Sequence, residues 1–283
     1  MAKVAIVTDS TTALPAHISE EAGLYTVPLS INWDGKSYLD GIEMTPQAFY
    51  EKLVNSKSFP TTSQASGEAY NRVYKSLLKQ GFDILSITMS SKISGTYDSA
   101  VQGMRGLPRG RVEVVDSLSA SLPLGMVALK TARVARQGGT LLECRNEAID
   151  LSRRIRVYFA VETLEYLHRG GRIGAAAKFL GTALGLKPIL TLKNGFIEPI
   201  ERVRTTKKAH ARLIELTKAE VGPKGKIEYL GVVSAAAPTM RDAFLKEARR
   251  NFRVEEEITA ELSPVIGSHI GPGAIGIIYL PAR

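Results

Sequence analysis

Val4-Ala5-Ile6-Val7-Thr8-Asp9-Ser10-Thr11 decides how the first half of this chain is read. A short apolar run gives way at once to small polar residues, as when a strand buried on both faces opens into a loop. The pattern returns twice more, where Asp83 to Met89 runs into Ser90-Ser91-Lys92 and Val112 to Val115 runs into Asp116-Ser117. Helical patterns stand between these runs. Thr45-Pro46 reads as an N-cap with proline at the first helical position, starting a helix through about Leu53. Ser66 caps a second helix with Tyr70, Val73, Tyr74 and Leu77 on its buried stripe. Another helix starts near Gly95, and a long helical region after Ser117 breaks at Gln137-Gly138-Gly139. Tyr25 to Ile31 reads as one further strand before Asp34-Gly35, a hairpin signal, and Phe59 to Ala65 reads as a loop. Strand and helix in alternation predict a parallel sheet covered by helices on both sides, an α/β/α domain.

The second half is patterned differently. Val157 to Val161 reads as a strand and Leu164 to Leu167 as a short helix ahead of Arg169-Gly170-Gly171-Arg172. Ile189 to Lys193 and Phe196 to Arg204 flank Asn194-Gly195, a second hairpin signal. A helix from Thr206 to Val221, a strand from Ile227 to Ser234, a helix from Pro238 to Phe252 and strands at Val254 to Glu261 and Ala274 to Leu280 follow. This order predicts an α+β domain with a mixed sheet. The chain is therefore expected to form two domains, 1–158 and 159–283.

Composition narrows the function classes. With 283 residues, 44% hydrophobic and 23% charged, the chain suits a globular protein of two ordinary domains. Cys144 is the sole cysteine and forms no internal disulfide, which fits a reducing cytoplasm. The first strand begins too close to Met1 to leave room for a secretory signal, and no apolar run is long enough to span a bilayer. A net charge of +9 invites nucleic acid or anionic lipid. The basic residues are scattered, however, with the densest run at Arg202 to Lys208, and a paired Cys/His zinc module is missing. A solvated basic face is the reading adopted, with no nucleic-acid partner, metal or cofactor expected. Neither a Gly-x-x-x-x-Gly-Lys-Ser/Thr loop nor a kinase glycine loop is present, so no ATP site is expected either.

Four polar segments stand at apparent strand ends: Thr8 to Thr11, Pro60 to Gln64, Ser90 to Thr96 and Asp116-Ser117. Hydroxyls together with N–H groups at a helix start suit a carboxylate or phosphate, although each residue alone also serves as a cap. Arg172 follows two glycines, and His269 is read on a glycine-rich turn before the last strand. A hydrolase or acyltransferase with Ser94 as nucleophile and His269 as base is the rival reading, its third member Asp9 or Asp116. The Gly-x-Ser-x-Gly elbow is absent.

Taken together these words resemble the DegV family over essentially the whole chain. Thr8-Asp9-Ser10-Thr11, Pro60-Thr61-Thr62-Ser63-Gln64 (the Thr-Ser-Gln word), Ser94-Gly95-Thr96-Tyr97, Gly170-Gly171-Arg172-Ile173 and His269-Ile270-Gly271-Pro272-Gly273 occur in the family's order. Ala13, Ala65 and Ile270 depart from its pattern, standing where an acidic residue, a proline and a threonine are common. The resemblance implies a two-domain carrier, not an enzyme, with a long-chain fatty acid between the domains. It implies that Thr62, Ser94, Gly95, Arg172 and His269 form the carboxylate pocket and that an apolar tunnel takes the acyl chain. Gly174 to Leu186 and Leu118 to Leu129 are candidate tunnel walls, although most of their positions read as ordinary core. A separate fatty acid kinase is the implied partner, with transient contact to an anionic membrane, all in the cytoplasm.

Overall fold

The computed structural model describes residues 3–180, 185–222 and 225–282. Along the first half run β1 (Val4–Asp9), α1 (Ala16–Ala22), β2 (Tyr25–Val27), β3 (Ser30–Trp33), β4 (Lys36–Leu39), α2 (Pro46–Asn55) and β5 (Thr61–Ser63). Then come α3 (Gly67–Lys79), β6 (Asp83–Thr88), α4 (Thr96–Gly103), β7 (Val112–Asp116), α5 (Leu122–Arg136) and α6 (Leu141–Arg154). The second half carries β8 (Arg156–Ala160), α7 (Glu165–Arg169), β9 (Lys187–Lys193), β10 (Phe196–Val203) and α8 (Thr206–Val221). It closes with β11 (Lys226–Ser234), α9 (Pro238–Asn251), β12 (Arg253–Glu261), α10 (Pro264–Ile270) and β13 (Ile275–Pro281).

The chain forms two compact units that are not contiguous in sequence. One comprises Met1–Met44 and Thr62–Arg153, the other Thr45–Thr61 and Arg154–Arg283. A single boundary at 158 misses this, because α2 and the turn after it belong with the second unit. The reason is packing. Phe49 and Tyr50 of α2 lie against Gly267 of α10, where an added Cβ would come within 2.6 Å of the Tyr50 hydroxyl. That hydroxyl donates to the Leu262 carbonyl at 3.2 Å.

In the first unit a fully parallel sheet has the order β2-β1-β6-β7. Every residue of β1 is buried, as its unbroken apolar run predicts. Tyr70, Tyr74 and Leu77 of α3 close one face over Ala5, Val7 and Ile84. Strand order reverses at β1 and β6, so the loops after these two strands flank the crevice where open α/β sheets take ligands. The run from Tyr25 to Ile31 is two strands rather than one. Pro28 lacks the N–H that would continue the ladder, and the chain leaves the parallel sheet there for the β3–β4 hairpin closed by Asp34-Gly35. The loop expected from Phe59 to Ala65 contains β5, which joins a small sheet of order β4-β3-β5.

In the second unit a mixed sheet has the order β10-β9-β8-β13-β11-β12. Only β11 and β12 pair in parallel, linked by α9, and the other pairs are antiparallel. Helices α8 and α9 bury Leu213, Phe244 and Ala248 against Leu230, Ile275 and Ile277. Gly174–Phe179 is a 3-10 helix in which only Ala176 is buried, so this stretch is not the helix core it resembles in sequence. The rest of that candidate wall from 181 to 184 lies outside the described residues. Leu122 to Leu129, by contrast, is buried throughout within α5. Among the described residues, no helix is long and apolar enough to cross a membrane.

Candidate functional site

In the first unit the candidate residues cluster on and around the loop after β6. Met89 N–H donates to Asp9 Oδ2 at 2.7 Å, fixing the start of the loop to the end of β1. Asp9 Oδ1 accepts from Thr11 N–H at 3.0 Å and from Thr11 Oγ1 at 2.6 Å. On the other side, Ser91 N–H donates to the Asp116 carboxylate at 3.2 Å, and Ser90 N–H to the Ser119 carbonyl at 2.6 Å. Burial pushes the Asp9 carboxyl above its usual range, while these hydrogen bonds pull it down. Both aspartates that a Ser94/His269 triad would recruit are thus engaged in holding backbone N–H groups.

Ser94 ends this loop at the start of α4. Its Oγ accepts from Thr96 N–H at 3.2 Å and shares a hydrogen bond with Thr96 Oγ1 at 2.8 Å. These partners, a hydroxyl and an amide, orient the Ser94 side chain. Gly95 is the N-cap of α4, at the positive end of its helix. Thr62 is half-buried on β5. The two segments meet through Gln64, whose side chain lies over Gly95 and whose Nε2 donates to Ser99 Oγ at 3.0 Å. Gln64 was legible only as part of the Thr-Ser-Gln word; nothing local in its spacing points to Gly95.

In the second unit the candidate residues lie at two helix ends. Residue 171 has φ +71°, and the N–H groups of Gly171 and Arg172 bond back to the carbonyls of His168 and Leu167. This is the closing motif of a helix that ends in a left-handed residue, and it dictates where Arg172 leaves α7. The Arg172 guanidinium turns back to donate to the Gly170 carbonyl at 2.7 Å. His269 does not sit on a turn, as its glycine-rich surroundings suggest, but in the last turn of α10. The overlooked signal was Ser263-Pro264, an N-cap and first-turn proline, and Ser263 Oγ accepts from Ile266 N–H at 3.4 Å.

Imidazole Nδ1 of His269 rests on the α-carbon of Gly170, where an added Cβ would lie 2.1 Å away. The Tyr166 ring covers Gly271 and packs at 5.5 Å from Phe59, over which the Arg169 guanidinium stands at 4.1 Å. Phe59 comes from the remote 45–61 segment, and sequence reading missed it. Burial first, and then the positive charge of Arg172, lower the His269 pKa from 6.5 to about 4. The imidazole is therefore neutral at neutral pH beside a permanent cation.

A stability consequence follows. An unfolded chain with its histidine near 6.5 binds a proton that the folded protein refuses until about pH 4. Stability from this group is full above the higher value and is lost as pH falls through the window, by up to about 3 kcal/mol. Urea denaturation at pH 7 and pH 5 should show wild type losing more stability than His269→Gln. Equal losses would refute the assignment.

The chain is a two-unit α/β protein, with hydroxyls and a helix start among the candidate residues of one unit and a cation with a neutral imidazole among those of the other. The family model described as "Uncharacterised protein, DegV family" matches residues 3–282, and the chain belongs to that family. A DegV domain-containing protein of Caldanaerobacter subterraneus subsp. tengcongensis is 37% identical over 99% of both chains. A Thermus thermophilus DegV family protein, whose structure is described as showing fatty acid binding, is 39% identical with a TM-score of 0.92. That match covers 99% of this chain and 100% of the other. A stearic acid-binding protein of Eubacterium ventriosum is 27% identical with a TM-score of 0.91, covering 99% and 98% of the two chains.

Proposed function

We propose that this protein is a non-enzymatic carrier of a long-chain fatty acid, its carboxylate held by groups from both units. The observation that carries the reading is the charge pattern around Arg172. A guanidinium beside an imidazole kept neutral by burial is a pair of groups that suits a carboxylate. In this reading Arg172 and His269 meet the carboxylate, directly or through water, while Thr62 and Ser94 donate O–H and Gly95 donates N–H. None of these contacts needs proton transfer. The acyl chain occupies an apolar tunnel, and each buried methylene contributes about 0.8 kcal/mol of gross binding energy. Chain burial then sets affinity, and the polar groups set orientation. The solved Thermus and Eubacterium relatives, described as fatty-acid and stearic-acid binders, support the ligand class.

A cytoplasmic carrier of this kind hands its ligand on. A separate fatty acid kinase, the partner that the family resemblance implies, is the proposed recipient and would supply the ATP site. Its net charge of +9 suits brief contact with an anionic membrane during loading.

Mass spectrometry of solvent extracts tests the core of this reading. Wild-type protein is expected to yield about one fatty acid per chain, and Ser94→Ala/His269→Ala to yield much less. Well-folded wild type that carries no lipid and binds no added fatty acid would overturn it.

A further inference from the structure

Thr62 and Ser94 are separated by 32 positions in sequence and lie on different elements, β5 and the loop before α4. Two hydroxyls can grip one carboxylate only if their spacing is held to a fraction of an ångström. Hydrogen bonds from Met89 to Asp9 and from Ser91 to Asp116 tie the loop that carries Ser94 to β1 and β7. One side chain that crosses from one segment to the other is Gln64, two residues past Thr62.

Although Gln64 as a whole is exposed, its amide lies flat against the α4 start. A Cβ on Gly95 would stand 2.3 Å from Oε1, 2.7 Å from Nε2 and 2.8 Å from Cδ of Gln64. All three contacts are to one side chain, so the missing Cβ at 95 is the seat of this amide. Backbone strain is not involved, since φ of Gly95 is −78°. At the far end, Nε2 donates to the buried Ser99 hydroxyl, one helical turn into α4.

The geometry points to Gln64 as a positioning residue that sets the distance between the Thr62 and Ser94 hydroxyls, with Gly95 as its seat and Ser99 as its anchor. This rests on the carboxylate reading given above. Gln64 itself is not assigned a contact with the ligand. Its effect is confined to the polar end, so it governs recognition of the carboxylate and not burial of the chain.

The test compares lipid-stripped wild type, Gln64→Met, Ser99→Ala, Gly95→Ala and Gln64→Met/Gly95→Ala. Each is measured by equilibrium dialysis against oleate and against oleyl alcohol, which has the same chain without the charge. Thermal melting confirms that each variant is folded, and Ser99→Ala, the mildest change, keeps the test valid if Gly95→Ala does not fold. Each single variant is expected to weaken oleate binding between about three- and tenfold, the share of one hydrogen bond. Oleyl alcohol affinity should not change, and the double variant should be no worse than Gln64→Met, because Gly95→Ala acts by evicting Gln64. Unchanged oleate affinity in Gln64→Met and Ser99→Ala, or equal weakening of acid and alcohol, would overturn the inference while leaving the carrier reading intact. If wild type itself does not prefer oleate to the alcohol, the carboxylate reading fails and takes this inference with it.

Discussion

Asp9→Ala is expected to cost about 3–5 kcal/mol of stability, the range for removing one partner from a buried charged hydrogen-bond network. Three donors depend on this carboxylate: the N–H groups of Met89 and Thr11 and the hydroxyl of Thr11. Asp9 and Thr11 are fully buried and Met89 nearly so, which leaves little access for water to replace the lost acceptor. Asp9→Asn keeps the shape and one acceptor oxygen but turns an amide NH₂ toward a donor. Its loss should be smaller than that of alanine and still clearly measurable.

The pH dependence of this group runs opposite to that of His269. Because burial raises the native pKa of Asp9 above 3.8, the folded protein binds the proton more readily than the unfolded chain. Its contribution is therefore most favourable in acid and declines as pH rises through the native value. Urea denaturation followed by circular dichroism checks the alanine and asparagine variants together. A loss under about 1 kcal/mol for Asp9→Ala would show that relaxation or water replaces the acceptor.

Gly271→Ala is the second large effect expected, about 2–5 kcal/mol from two separate causes. Residue 271 has φ +76° and ψ 170°, a region that side-chain-bearing residues avoid. An added Cβ would also stand 2.3 Å from Cδ2 of Tyr166. That ring cannot retreat freely, since it packs on Phe59 beneath Arg169. Either the ring or the end of α10 must move, and His269 lies two residues from the strain. A double-mutant cycle with Tyr166→Ala separates the causes, because removing the ring relieves only the steric share. Complete recovery in the double variant would show that the backbone conformation costs nothing. A Gly271→Ala protein as stable as wild type would refute both parts.

These two sites also show how far a sequence can be read. The unbroken apolar run at Val4 to Thr8 signalled a buried parallel strand because burial on both faces removes alternation. Thr45, Ser66 and Thr205 accept from the N–H three positions on, as capping residues do. Asp34-Gly35 and Asn194-Gly195 turn their hairpins with positive φ at both residues. All of this is local: a few neighbouring residues carry the whole physical cause. Pro28 and Ser263-Pro264 are local signals too, but the apolar run around the first and the glycine-rich stretch after the second mask them.

By itself, then, the sequence determined most of the strand and helix order, though not β5, α10 or the break at Pro28, together with the change from a parallel to a mixed sheet and the polar words that mark this family. Only the tertiary structure decided that residues 45–61 pack with the second unit, where Phe59 meets Tyr166. It alone decided that Gln64 seats on Gly95 and that His269 is neutral beside Arg172. The physical reason is the range of the interactions involved. Caps, turns and periodicity act within a helical turn or a strand pair, whereas close packing and desolvation depend on which distant residues fill the space around a side chain.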